Sequence, residues 1–184
     1  VVLLAIASIG VWHACRTARA QYLYWRSKHG PDNRQADKVF SNCDRAYRLY
    51  PHNYRFSTWT AEKAWYGRYE NGAEGTVDRV AIAKRWSTRG LGMNPHVREL
   101  QLVKARWLAD ESINEAILSW RSFLEREFWD SFNHAVMVEL YSRGGRYEDA
   151  LDELAWVKDP KDLAYARQTI QQAWQDEIRG LQQQ

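Results

Sequence analysis

AVMVELYSRGGRYEDALDELAWVKDP, residues 135–160, is the stretch whose reading decides the fold. It reads as one complete helix–turn–helix unit with its own punctuation. Val138 and Tyr141 fall one helical turn apart on a first helix, and Gly144-Gly145 stop it. Tyr147 and Ala150 open a second helix, which Pro160 closes.

Working outward, the small residue that opens the second helix recurs. Ala83, Ala116 and Ala150 stand at steps of 33 and 34 residues, the spacing that stacked units of one design require. DRAYRLYPHN (residues 44–53) and STRGLGMNPHV (residues 87–97) read as two versions of one helix end. Each has a small residue (Ala46, Gly90), then Leu49 or Met93, then Pro51 or Pro95 followed by a histidine. The prolines are 44 residues apart. The excess over one repeat reads as an insertion of about ten residues in the glycine-rich segment 66–78.

Two helices of this spacing, with small residues where they cross and a proline after the second, resemble a tetratricopeptide repeat (TPR). The resemblance implies an all-α fold, a right-handed α–α superhelix or TPR-like solenoid, over residues 33–160. The helices are expected at 33–50, 54–69, 77–91, 96–109 and 112–127, followed by the hairpin already described. Residues 161–184 carry Leu163, Ala166, Ile170, Trp174, Ile178 and Leu181 on one face, a C-terminal capping helix for the last repeat. Gln182 onward is expected to fray.

The chain opens VVLLAIASIGVWHAC without a charge and without an initiator Met. As a helix that run spans about 22 Å, short of a hydrocarbon core of about 30 Å. It reads as the end of a transmembrane or membrane-inserted helix, giving a membrane-anchor segment over residues 1–28 that the Gly30-Pro31 breaker ends. Arg16, Arg19, Arg26 and Lys28 precede the first acid, Asp32, which places the repeats on the cytoplasmic side by the positive-inside rule. Trp12, Arg16, Arg19, Tyr22 and Trp25 form the expected membrane interface. Residues 21–28 could also serve as the first helix of the first repeat.

Composition excludes several classes. A net charge of +3 and a pI near 8.9, with basic residues scattered along the chain, do not argue for nucleic acid. Cys15 and Cys43 lack disulfide-framework or zinc-ligand spacing, and Cys43 reads as a small residue inside the first hairpin. His13, His29, His52, His96 and His134 show no i, i+4 pairing for metal. The glycine pairs lack the Lys-Ser/Thr of a phosphate loop, and no GxSxG surrounds any serine. The reading is therefore no enzyme, no cofactor, no metal and no small-molecule substrate. Ten tryptophans are the anomaly, read mainly as fillers between helices, with Trp12, Trp25 and Trp129 the candidates for exposure.

By resemblance, function lies on a concave surface lined by the first helices, here residues 54–69, 98–109 and 131–141. Arg55, Trp59, Arg106, Glu139 and Arg143 are the expected partner-groove residues. One subclass of the family grips a C-terminal carboxylate with Lys, Asn and Arg, but this chain has Leu102, Arg106, Ala135 and Glu139 there. The functional expectation is a membrane-anchored TPR-like protein–protein interaction scaffold, or an accessory subunit of a membrane protein complex. The alternative is the soluble TPR tail of a larger polytopic membrane enzyme, such as a polysaccharide polymerase or ligase. A structural subunit of a large lipid-embedded assembly is a third reading.

Overall fold

A computed structural model describes residues 2–67 and 78–182, apart from the side chain of Asp32. Most of the expected insertion, residues 68–77, and the last two glutamines lie outside the described residues. Among the described residues the fold is all-α, with nine α-helices, one 3₁₀ turn and no strand. The helices are α1 (Val2–His29), α2 (Ala36–Leu49), α3 (Tyr54–Tyr66), α4 (Arg79–Met93), α5 (Arg98–Glu111), α6 (Ile113–Leu124), α7 (Ser131–Arg143), α8 (Tyr147–Leu154) and α9 (Pro160–Gln182). They fall into two compact units, one running to Val103 and one from Lys104 on.

Local chemistry sets the helix starts. Asn53, Asp78, Ser112 and Asp130 each cap the helix that follows, accepting a hydrogen bond from Arg55, Ala81, Glu115 and Phe132 N–H. The two proline turns share one backbone design. Tyr50 N–H donates to Ala46 C=O and Asn94 N–H to Gly90 C=O, each at 2.9 Å, so a helix end is closed in the same way before each proline. At the end of α7, Gly145 takes a φ of 68°, in the left-handed region that favours glycine, and Arg146 N–H reaches back to Tyr141 C=O at 2.9 Å. Pro160 does not close α8, which already stops at Leu154; it is the first residue of α9, where its missing N–H costs nothing, and Asp159 caps that helix.

In the first unit α1 packs along α2, and α3 along α4. Ala20, Leu23, Ala46 and Phe56 form one buried cluster, with Tyr24, Leu49 and Tyr50 against it. Cys43 is fully buried, and burial pushes its thiol up to about 11. Gly90 permits a close approach: a Cβ there would lie 2.4 Å from Leu100 Cδ1 and 3.0 Å from Ser57 Cβ.

In the second unit α7 is the central helix, touching α6, α8 and α9. It is therefore buried almost all round, including Ala135, Val136, Met137, Val138 and Leu140. Ala116 and Ala150 in this unit, like Ala83 in the first, are fully buried. Trp120 fills the core and donates its indole N–H to Asn133 C=O at 2.9 Å. α9 lies against α7 through Ala166, whereas Trp174, Ile178 and Leu181 are exposed. Twenty-three residues of α9 rise about 34 Å, well beyond the reach of the shorter α7.

The membrane anchor is not supported. Among the described residues no helix is long and apolar enough to cross a membrane, which removes the ground for a membrane location with the repeats on its cytoplasmic side. The physical reason lies in α1 itself. Its apolar run is interrupted by Trp12-His13 and then by Arg16 and Arg19, and the rest of the helix is used for packing: Ala20, Leu23 and Ser27 are buried. Trp12 is exposed on α1, and Arg16 spans from it to the end of α2. The Arg16 guanidinium lies 4.4 Å from the Trp12 ring centroid and donates to Arg48 C=O at the end of α2, at 3.4 Å.

Candidate functional site

The side chains that sequence reading assigned to a partner groove fall at two places, one in each unit. In the first unit, α1, α3 and the start of α5 enclose an open cleft of about 270 Å³. Tyr24 and Lys28 come from α1, Tyr54, Arg55, Thr58, Trp59 and Glu62 from α3, and Val97 and Glu99 complete the wall. Helical spacing explains the α3 set: positions 55, 58, 59 and 62 form one stripe, while Phe56, Ser57, Thr60, Ala61 and Ala64 on the opposite side are buried. Arg55 and Trp59 are thus brought together. Arg55 is exposed and Trp59 half-buried.

Trp59 and Glu62 also line a second cleft, of about 360 Å³, with Lys63, Tyr66 and Gly67. The two clefts share a wall, so a furrow follows α3 from Tyr54 to Tyr66. At about 1.5 Å per residue it extends about 18 Å, the length of five or six residues of extended chain.

The walls of this furrow are aromatic and its charges mixed. Tyr24 stacks on Phe56 with centroids 4.7 Å apart and meets Trp59 edge-on, at 5.6 Å and 85°. Burial, with smaller contributions from Cys43 and Glu62, pushes the Tyr24 phenol up to about 12. Burial and then the nearby Glu99 raise the Glu62 carboxyl above its ordinary value, with Lys28 opposing. Burial and then Arg79 lower the Lys63 ammonium.

In the second unit Arg106, Glu139 and Arg143 are tied into ion pairs. Arg106 Nη2 lies 3.1 Å from Glu139 Oε2, and Arg143 Nη2 2.7 Å from Asp110 Oδ1. The Tyr165 hydroxyl of α9 donates to Glu139 and accepts from Arg106 at 3.2 Å. Burial and the Glu139 charge raise the Tyr165 phenol. α9 has thus taken up part of the polar face that was expected to meet a partner. Beside it, Glu139 and Arg143 edge an open cleft against Thr169, Gln172 and Asp176 of α9.

Trp12, Arg16, Arg19, Tyr22 and Trp25 lie along α1 and do not converge on either cleft. Sequence reading missed Tyr24 and Tyr165, which stand at the centre of the two arrangements. Tyr24 lies between Tyr22 and Trp25 in the chain, yet one step along a helix turns a side chain by about 100° and gives it a different environment. His134 was read as one of five unrelated histidines. It is buried, with Nδ1 on the Glu153 carboxylate and Nε2 on Phe128 C=O at 2.6 Å, a structural joint between α7 and the turns around it. Among the described residues no three His, Cys, Asp or Glu side chains are grouped to hold a metal ion.

The class defined by this architecture is an all-α protein of successive helices packed against their neighbours, with a polar and aromatic furrow on one face of the first unit. No family model matches the chain, and searches of curated proteins and of solved structures return no match either.

Proposed function

We propose that this chain is a TPR-like protein–protein interaction scaffold that holds an extended segment of a partner along α3. The observation that carries this reading is the furrow of shared wall Trp59–Glu62, long enough for five or six residues and lined by half-buried aromatic side chains. Trp and Tyr with Arg at the rim are the residue types that concentrate binding energy in interfaces. The burial of Ala83, Ala116 and Ala150 at repeat spacing supports the tetratricopeptide part of the reading, as does the pairing of α5 with α7 one repeat apart. The right-handed α–α arrangement of that family belongs to the same proposal.

The function on this reading is presentation of a fixed surface rather than catalysis. The test is selection of binding peptides from a random displayed library against the whole chain, followed by measurement on Trp59→Ala. Selected peptides should bind Trp59→Ala at least about tenfold more weakly, the loss expected at an interface hot spot. Undiminished binding to a Trp59→Ala protein with unchanged circular dichroism would place recognition elsewhere and sink the proposal.

A further inference from the structure

We propose that the first unit carries a docking surface for an acidic protein segment, centred on Asp44 and made by the guanidinium groups of Arg16, Arg45, Arg48, Arg85 and Arg89. It shares no residue with the furrow along α3 and stands independently of that reading.

The charge here is one-sided. α1 carries four lysines and arginines, α2 three and α4 four, whereas the acids of these helices are only Asp37 and Asp44 of α2. The bases are dispersed in the chain, and packing gathers five of them around one carboxylate. Arg85 Nη2 donates to both Asp44 oxygens, at 3.2 and 3.1 Å, and Arg89 Nη1 lies 3.5 Å from the same group. Arg16 reaches the Arg48 carbonyl at the end of α2. Arg45 and Arg48 follow Asp44 by one and four residues and are exposed, and among the described residues neither forms an ion pair. Asp44 offsets one of the five positive charges, and the C-terminal end of α2 adds only about half a negative charge, so a large positive excess remains.

The chemistry of this surface favours carboxylates over nucleic acid. A guanidinium is a planar fork that takes a carboxylate through two parallel hydrogen bonds. Each ring bordering the cluster already has a guanidinium over it: Arg16 lies 4.4 Å from the Trp12 centroid, and Arg89 4.8 Å from that of Tyr47 and 5.0 Å from that of Trp86. Trp86 is fully buried besides. Bases gain their affinity for single-strand sites by stacking on open rings, and a base stacking here would compete with the arginines that its phosphates need. An acidic side chain needs no ring. The same ring contacts, with Asp44, hold Arg16, Arg85 and Arg89 in place, so less side-chain freedom is lost when a carboxylate docks.

The experiment titrates the whole chain into capped octapeptides of glutamate, glutamine or lysine, each bearing a neutral dye, and into a mixed-sequence DNA single strand of the same charge as the glutamate peptide, with fluorescence anisotropy as the readout. The glutamate peptide should bind more tightly than the strand and weaken with added salt, with the glutamine and lysine peptides about tenfold weaker or silent. Arg45→Glu with Arg48→Glu should weaken the glutamate peptide by about tenfold or more. Arg126→Glu with Arg167→Glu makes the same change of net charge at exposed positions of the second unit and should stay within about twofold of the parent. Should circular dichroism show the first pair of changes to disturb the fold, Arg45→Gln with Arg48→Gln introduces no new charge and should still lose about threefold. Equal losses in the two units would assign binding to overall charge and overturn the surface. Tighter binding of the DNA strand would overturn the acidic-segment assignment, and silence of the glutamate peptide at near-millimolar protein would overturn both.

Discussion

Arg106 and Glu139 stand 33 residues apart in the chain and meet at 3.1 Å. One turn further along the same two helices, Asp110 and Arg143, also 33 residues apart, meet at 2.7 Å with the charges reversed. Two contacts at the same offset show that α5 and α7 run parallel here. Both separations equal the step from Ala83 to Ala116, the offset that the sequence leads one to expect between stacked units.

The partly buried Arg106–Glu139 pair should show strong coupling. Glu139→Ala removes the carboxylate from the Arg106 guanidinium and the acceptor of the Tyr165 hydroxyl, and should cost about 1–3 kcal/mol. Glu139→Leu with Arg106→Met should cost less than the two single changes added together. Urea unfolding of the four proteins at one pH checks this, and strict additivity would argue against a coupled pair.

The tryptophans divide sharply by environment. Trp120 is 1 % exposed and holds the Asn133 carbonyl, whereas Trp129 is 93 % exposed. Trp120→Ala should cost about 3–5 kcal/mol, and Trp129→Ala should stay within about 0.5 kcal/mol of the parent. Chemical denaturation of both variants separates filler from surface residue.

Gly90 sits where a side chain has no room. Gly90→Val should destabilise the first unit by about 1–3 kcal/mol, because the new atoms press on Leu100 and Ser57. Gly92, two residues further along the same helix and open to space, should accept alanine with gain rather than loss of stability. Thermal melts of the two variants check the contrast.

Glu62 gives a pH dependence with a definite sign. Its carboxyl is raised in the folded state, chiefly by burial, so the folded protein holds a proton that the unfolded chain has released. Its favourable contribution is complete below the ordinary glutamate value of about 4.3 and is lost as pH rises through the raised value. Glu62→Gln should therefore raise the melting temperature at neutral pH and leave it unchanged below about pH 4. A variant less stable than the parent at pH 7 would contradict this.

The cysteines should differ in reactivity. Cys15 is exposed and Cys43 is buried with its thiol raised to about 11. A disulfide reagent at mildly alkaline pH should titrate one thiol promptly and the second only in denaturant. Prompt reaction of both would show that the first hairpin opens readily.

The alanine spacing was legible in the sequence because it rests on sterics. Ala83, Ala116 and Ala150 are all fully buried, where a larger side chain would overpack the core. The same holds for the Gly144-Gly145 stop and the two proline turns, whose backbone geometry is local. The apolar opening misled for the opposite reason. Hydropathy reports that a helix needs cover and says nothing of how long that need lasts, and in α1 it ends where Arg16 meets the end of α2.

What the sequence by itself determined, then, was an all-α chain of punctuated helices, because caps, stops and small residues act within a few positions of themselves. Only the tertiary structure decided which polar residues remain available. It brought Tyr24 from α1 to Trp59 of α3 and turned Arg106 and Glu139 toward Tyr165 of α9. Those meetings depend on how helices far apart in the chain come to lie together, and no periodicity within one helix records the identity of its neighbour.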